Sequence, residues 1–400
     1  MKIVWLSDLD LRGSGYKNIS IPVCSGLVER GHEVMAIGLG YNNEEHPFPF
    51  AILPAGNLKE SVGSILNLQN MWGADAVVVA LDIPLQEQII NHGYLQNRKL
   101  KYVGLFPLEA PPLCFSWAMV LMQMDGCIVI SEFGTEEVRK AGVHHSDFMQ
   151  VGIDADAWKQ TNPEDKLKMR QAFGFTEDEF VVLTVADNQE RKNLVAAMDM
   201  FAEFAKDKEN ARYIMVTREH NRVGWKLRDY ANEIGISEKL MIFERGMDHK
   251  QLWTTYAVSD VFLLPSKAEG LGLPLLEAMA VGLPCIATKC TGMAELLADR
   301  RGFLVDYEWE HRDPFGNGHR YWIDVSQGRW ILEQIYERED TNSIDGKRVD
   351  YSVAISRQYV EQRTWDIAVE QVEKSLIKAC APPAVPSVVP PSGSPNIGLL

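Results

Sequence analysis

The sequence predicts an α/β chain made of two parallel-sheet units in tandem. Three observations carry this. Short Val/Ile-rich runs alternate with segments of helical periodicity, the mark of strands covered by helices on both faces. The alternation runs once through "KIVWLSD" to "HSDFMQVGI" and restarts at "EFVVLTVAD". And 400 residues exceed what one hydrophobic core usually absorbs.

Taken in order, "KIVWLSD" reads as a strand, "DLDLRGSGY" as a glycine turn, and "ISIPVCSGLVERGHEV" as a helix leading into the strand "HEVMAIGLG". The strands "ADAVVVALD", "KYVGLFP", "DGCIVISE" and "HSDFMQVGI" complete the first unit. The second reads as "EFVVLTVAD", a helix through "NLVAAMDMFAEFAKD", then "ARYIMVTRE", "LMIFERG", "DVFLLPS", "PCIAT" and "GFLVD". The join falls near "VGIDADAWKQTNP", with 152–162 as the expected hinge. Expected boundaries are therefore 1–155 for the first domain, 156–355 for the second, 356–380 for a C-terminal crossover helix, and 381–400 for a disordered Pro/Ser-rich tail. Residues 306–322, "DYEWEHRDPFGNGHRYW", show no period and read as a long loop or lid. Two such sheets in succession leave a cleft between their carboxyl ends, where ligands of open α/β sheets bind.

Composition excludes several partners. A formal net charge of −15 disfavours nucleic acid and anionic membrane surfaces. The densest basic cluster, Arg98, Lys99 and Lys101, reads as a solvated loop before a strand. The start "MKIVWLSDLD" lacks the apolar run of a signal peptide or a membrane span. Six cysteines without CxxC or metal-ligand spacing fit a reducing, cytoplasmic setting with no metal site.

The chemistry concentrates in "SKAEGLGLPLLEAMAVGLPCIAT", residues 266–288. A strand, a glycine loop at 267–273 and a helix opened by Pro274 and stopped near Gly282 form an anion site, because unpaired backbone N–H groups point into the loop. Gly270 and Gly272 let the main chain approach a phosphate. Glu277, read as lying in the first helical turn, would repel a phosphate beside it but can accept from the hydroxyls of a ribose. Glu269, at the other end of the loop, can do the same for a second sugar. A nucleoside diphosphate sugar fits that arrangement, and "NQERKNLVAAM" places Arg191 and Lys192 where cations could neutralise its diphosphate.

On these residues, the stretch from "LWTTYAVSDVFLLPS" to "GFLV" resembles the nucleotide-sugar site of the family 4 retaining glycosyltransferases, with their E-x7-E motif at Glu269 and Glu277. Looser similarity covers most of residues 1–380, including "ERGHEV", "ISEFGTEEVRKAGV" and "VGIDADAW". The resemblance implies the GT-B fold, two Rossmann-like domains facing a cleft, and a hexosyltransferase that retains anomeric configuration without a required metal or other cofactor. It also implies roles: Glu277 on the ribose, Glu269 on the donor sugar, the backbone of Gly270, Leu271, Gly272 and Leu273 on sugar and phosphates, and Lys192 on the diphosphate.

Three departures stand out. The usual arginine ahead of the lysine is missing in "VADNQERK", where Arg191 can substitute. The usual histidine after "KYVGLF" is replaced by "FPLEAPP", leaving Glu109 to contact the sugar, to help deprotonate the acceptor, or only to pack beside Pro107. In the first loop, Gly13 and Gly15 stand where the family has a glycine pair, with Gly15 expected near the phosphates.

Competing classes fit less well. Asn18 stands where G-x-G-x-x-G needs its third glycine, and "GLGLPLLEA" lacks the Gly-Lys-Ser/Thr of an NTPase loop. A non-catalytic scaffold would have no need of both glutamates and Lys192. A sugar-nucleotide epimerase of the same fold is separated only by donor turnover without acceptor. The acceptor, expected to be a sugar, small metabolite or protein met by loops such as 105–117, has no motif, and neither donor sugar nor base can be read.

Overall fold

The computed structural model describes residues 1–10, 15–91, 99–337 and 344–382. Gly13, Arg98 and the expected tail beyond residue 382 lie outside them.

Seven strands form the first sheet: β1 (Lys2–Asp8), β2 (Glu33–Leu39), β3 (Ala51–Ala55), β4 (Ala76–Ala80), β5 (Lys101–Phe106), β6 (Gly126–Val129) and β7 (Ser146–Phe148), ordered β3-β2-β1-β4-β5-β6-β7 and all parallel. Its central strands are apolar on both faces. Every residue of β4 is buried, as is every residue of β1 except its ends, because helices cover both sides. Buried Trp5 is satisfied by Ser20 of the helix Gly15–Glu29, to which its indole N–H donates at 2.9 Å. β3 went unread in the sequence because Pro54 lies inside it. Pairing only β2, it is an edge strand, where a missing N–H is tolerated.

The second sheet repeats the plan with β8 (Phe180–Val185), β9 (Ala211–Thr217), β10 (Leu240–Glu244), β11 (Val261–Leu264), β12 (Cys285–Thr288) and β13 (Phe303–Val305), ordered β10-β9-β8-β11-β12-β13, again parallel. Strand order reverses between β1 and β4 in one sheet and between β8 and β11 in the other. Those reversals open crevices at the strands' carboxyl ends; the loop after β8 carries the cations, and the loop after β11 with the helix it enters carries the two glutamates.

The helix Trp365–Cys380 returns to the first sheet, as expected. Its Val369 presses on Gly26 so closely that a Cβ there would lie 2.5 Å from Cγ2. Arg30 pairs with Asp366 at 2.6 Å and Glu373 at 3.1 Å, and Lys378 with Asp147 at 2.8 Å. The preceding helix Ile344–Glu361 stays with the second unit, where Arg357 donates to the Ala280 carbonyl at 3.0 Å.

Residues 306–322 are not the expected loop. They fold as an antiparallel hairpin, β14 (Tyr307–Arg312) and β15 (His319–Ile323), held by Trp309 stacked on Trp322 at 4.6 Å between centroids. Its tip reaches the first unit: His319 N–H donates to the Pro111 carbonyl at 2.8 Å, and Phe315 meets Trp117 edge-on at 5.3 Å. Among the described residues, no helix is long and apolar enough to cross a membrane. All six cysteines are free thiols, and Lys101 pairs with Asp125 at 3.1 Å.

Candidate active site

The glycine loop after β11 turns into a helix at Leu273–Val281, opened by Gly272 in the left-handed region (φ 102°) and closed by Gly282 (φ 85°). Neither conformation suits a side chain. Because Gly272 starts the helix one residue ahead of Pro274, Glu277 is its fifth residue, not part of the first turn. The dipole of the terminus therefore helps it little. Burial pushes the Glu277 carboxyl up to about 7, opposed by the hydrogen bond that Tyr256 OH donates at 2.7 Å.

Glu269 is in the opposite state. Burial alone would raise its carboxyl, yet Lys192 and Arg191 hold it down at about 2. Oε1 accepts from Lys192 Nζ at 2.6 Å and from Ser266 at 2.7 Å, and Oε2 from Arg191 at 3.0 Å. The cations come from the loop after β8, which makes a tight turn at Glu190–Lys192. Burial and Arg191 lower the Lys192 ammonium, while Glu269 supports its charge.

Arg191 is committed twice. It pairs with Glu269 from the second unit and with Glu109 from the first at 2.8 Å. Burial raises the Glu109 carboxyl, and Arg191 and Lys192 pull it back. Arg320 of the hairpin stands 3.8 Å from Glu109. Glu109 thus faces a narrow cavity under the hairpin tip, shared with Asp82, Trp117 and Phe315, rather than only packing beside Pro107.

The structure brings Gly15, Lys192, Leu273 and Glu277 onto the walls of one cleft between the two sheets. Leu273 lies 3.7 Å from where a Cβ on Gly15 would be. Glu269 and Arg191 stand behind Lys192. Gly270 abuts the first unit, since a Cβ there would fall 2.3 Å from Pro107 Cβ, and Leu271 is buried.

The same cleft contains residues the sequence reading missed: Lys17, Asn18, Trp158, Asp187, Arg245 and His249. Asp187 stands in the loop where the resembled family carries its arginine, and it binds two arginines that directly follow β9 and β10, Arg218 and, at 3.4 Å, Arg245. A signal for Arg245 existed in "FERG", an arginine at the carboxyl end of a parallel strand.

Residues 165–312 match the family model of the glycosyl transferases, group 1. The chain is 25% identical over 267 residues to a GDP-mannose-dependent monoacylated alpha-(1-6)-phosphatidylinositol monomannoside mannosyltransferase of Corynebacterium glutamicum, covering 64% of this chain and 68% of that one. It is 30% identical over 163 residues to a D-inositol 3-phosphate glycosyltransferase of Mycobacteroides abscessus, covering 40% of this chain but only 35% of the relative. In fold it is similar to a glycosyltransferase from Rickettsia africae, with a TM-score of 0.74 at 13% identity over 94% of this chain and 98% of that one. It is likewise similar to Anabaena HepE in complex with UDP and glucose, with a TM-score of 0.72 at 17% identity over 94% and 99%. Residues 165–312 thus carry the match to the group 1 glycosyl transferases, a family of transferases, and the chain, matched in fold along nearly its whole length, has the GT-B fold.

Proposed function

We propose that the protein transfers a hexosyl group from a nucleoside diphosphate sugar to an acceptor hydroxyl, with retention of anomeric configuration and without a required metal. The observation that carries this is the placement of Lys192 and Glu277 on one cleft at the carboxyl ends of β8 and β11, with Glu269 paired to Lys192 directly behind. Glu277 would accept from the ribose diol, Lys192 would bind the diphosphate, and the Gly270–Leu273 backbone would meet phosphates and sugar. Glu269 would hold the sugar's hydroxyls, and Glu109 would act on the acceptor side. Residues 1–155 would present the acceptor, and 156–355 the donor.

Among the described residues lining the cleft none is a serine, threonine or cysteine, so the reading favours same-face displacement. The bond from the anomeric carbon to the phosphate oxygen breaks while the bond to the acceptor oxygen forms on the same face. The acceptor proton passes to the departing phosphate oxygen. The protein's share is positioning and charge stabilisation at that oxygen, with closure of the cleft excluding water. A cytoplasmic location goes with six free thiols.

The relative is named for GDP-mannose and the neighbour is in complex with UDP, so the two differ in base. The test is therefore nucleoside diphosphate release from UDP-, GDP- and ADP-sugars, without acceptor and with Glu277→Ala as control. Slow release from one donor, abolished in the variant, is expected. Conversion of the donor to its epimer would overturn the transfer reading, and the absence of any nucleotide binding would make the protein a scaffold.

The raised Glu277 carboxyl gives a second test. Folded, it holds its proton up to about 7 against an ordinary 4.5, so ionising it costs stability as pH rises through that window. A ribose that donates to the carboxylate offsets this cost, so affinity for the donor should rise from about pH 6 to about pH 8. Calorimetry with an intact nucleotide sugar, whose diphosphate does not titrate there, should show that rise in the wild type and a flat, weaker profile in Glu277→Gln. A flat wild-type profile would remove Glu277 from the ribose.

A further inference from the structure

Lys267 stands two residues before Glu269, and its side chain is wholly buried. A lysine so withdrawn from water needs its charge paired, or it loses the proton. Two groups meet it. The Glu190 carboxylate accepts from its ammonium, which also lies 3.3 Å from the centroid of the Trp322 ring. Arg320 and Asp313 of the hairpin are the other charged groups facing it, and burial lowers its ammonium against the support of Glu190.

The backbone of Lys267 is engaged as well. Its N–H donates to the Arg191 carbonyl at 2.8 Å, and its carbonyl accepts from Tyr321 N–H at 2.9 Å. One residue therefore ties together the glycine loop, the Glu190–Lys192 turn and strand β15.

None of that turn's three side chains is fully buried. Its cations are held by Glu269, for which an incoming diphosphate must compete. The Lys267–Glu190 pair is an anchor on the same turn that the diphosphate does not compete for. We propose that Lys267 is a positioning residue for the diphosphate: by holding Glu190 beneath the hairpin, it fixes where Lys192 stands when Lys192 leaves Glu269. The inference rests on the function proposed above.

The test compares the affinity of a nucleoside diphosphate with that of its monophosphate, using whichever of UDP, GDP and ADP the wild-type protein binds. A ratio of dissociation constants is insensitive to the fraction of folded protein, so loss of stability alone does not move it. Lys267→Met should weaken the diphosphate about tenfold relative to the monophosphate, the scale of one misplaced charged hydrogen bond. Lys267→Arg should recover most of that loss. Glu190→Gln should reproduce it, and the Lys267→Met/Glu190→Gln double variant should lose no more than either alone. Should Lys267→Met not fold, Glu190→Gln carries the same comparison from a half-exposed position.

An unchanged ratio in Glu190→Gln and in any folded Lys267→Met, or equal losses for both nucleotides, would overturn the proposal. If that happens while Glu277→Ala still abolishes donor turnover, the positioning role alone falls. If the wild type binds no nucleotide, the function itself falls and this role with it.

Discussion

Lys192→Met should lower kcat for sugar transfer about a hundred- to a thousandfold, the loss typical of removing one preorganised group that meets developing charge. The charge on the departing diphosphate grows as its bond to the anomeric carbon breaks, so the missing ammonium is felt more in the transition state than in the bound donor. The donor KM should therefore rise far less than kcat falls. Single-turnover rates beside donor affinities would check this. A variant with unchanged kcat and a raised KM would make Lys192 a ground-state anchor only. The fold should survive, because Glu269 keeps Arg191 at 3.0 Å and Ser266 at 2.7 Å.

Glu269→Gln should be the more damaging change to the molecule. It leaves two largely buried cations, Arg191 and Lys192, facing an amide. Removing one partner of a buried ion pair costs about 3 kcal/mol or more. Transfer should fall as well, since the same carboxylate is the proposed partner of the donor sugar. The pH dependence gives a separate readout. In the folded protein the Glu269 carboxyl is held at about 2 against an ordinary 4.5, so its ionised form adds stability that is complete above 4.5 and is lost as pH falls towards 2. Denaturation midpoints should decline through that window in the wild type and decline less in Glu269→Gln. Equal slopes would show that the pairing of Glu269 with Arg191 and Lys192 contributes nothing to acid stability.

The parallel strands were legible because each is a run of apolar residues buried on both faces, "AVVVA" and "FVVLTV" being the clearest. The hairpin 307–323 was not. Its first strand, "YEWEHR", is nearly all exposed, and what holds it is a pair of stacked tryptophans and a landing place on the first unit. Cross-strand pairs and tertiary landings leave no period in a sequence. The same distinction applies to the site. Glu269, Glu277 and the adjacent Arg191 and Lys192 declared themselves by spacing around a loop and a helix start. Arg245, His249 and Trp158 reach the cleft from separate segments, and only the folded chain shows them together. Lys267 lies within residues 266–288, yet nothing in the sequence marks it, because burial under Trp322 is a property of the hairpin.

The return of the helix Trp365–Cys380 to the first sheet bears on how the molecule is made. Residues 1–155 leave the ribosome first, yet Gly26 and Arg30 wait for partners translated after the whole second unit. Both sheets are built from contiguous runs of strands, but the first keeps one helix-sized apolar strip uncovered until residues 365–380 are made. Completion of the first unit therefore waits on the helix Trp365–Cys380, and until that helix docks the strip stays exposed to solvent.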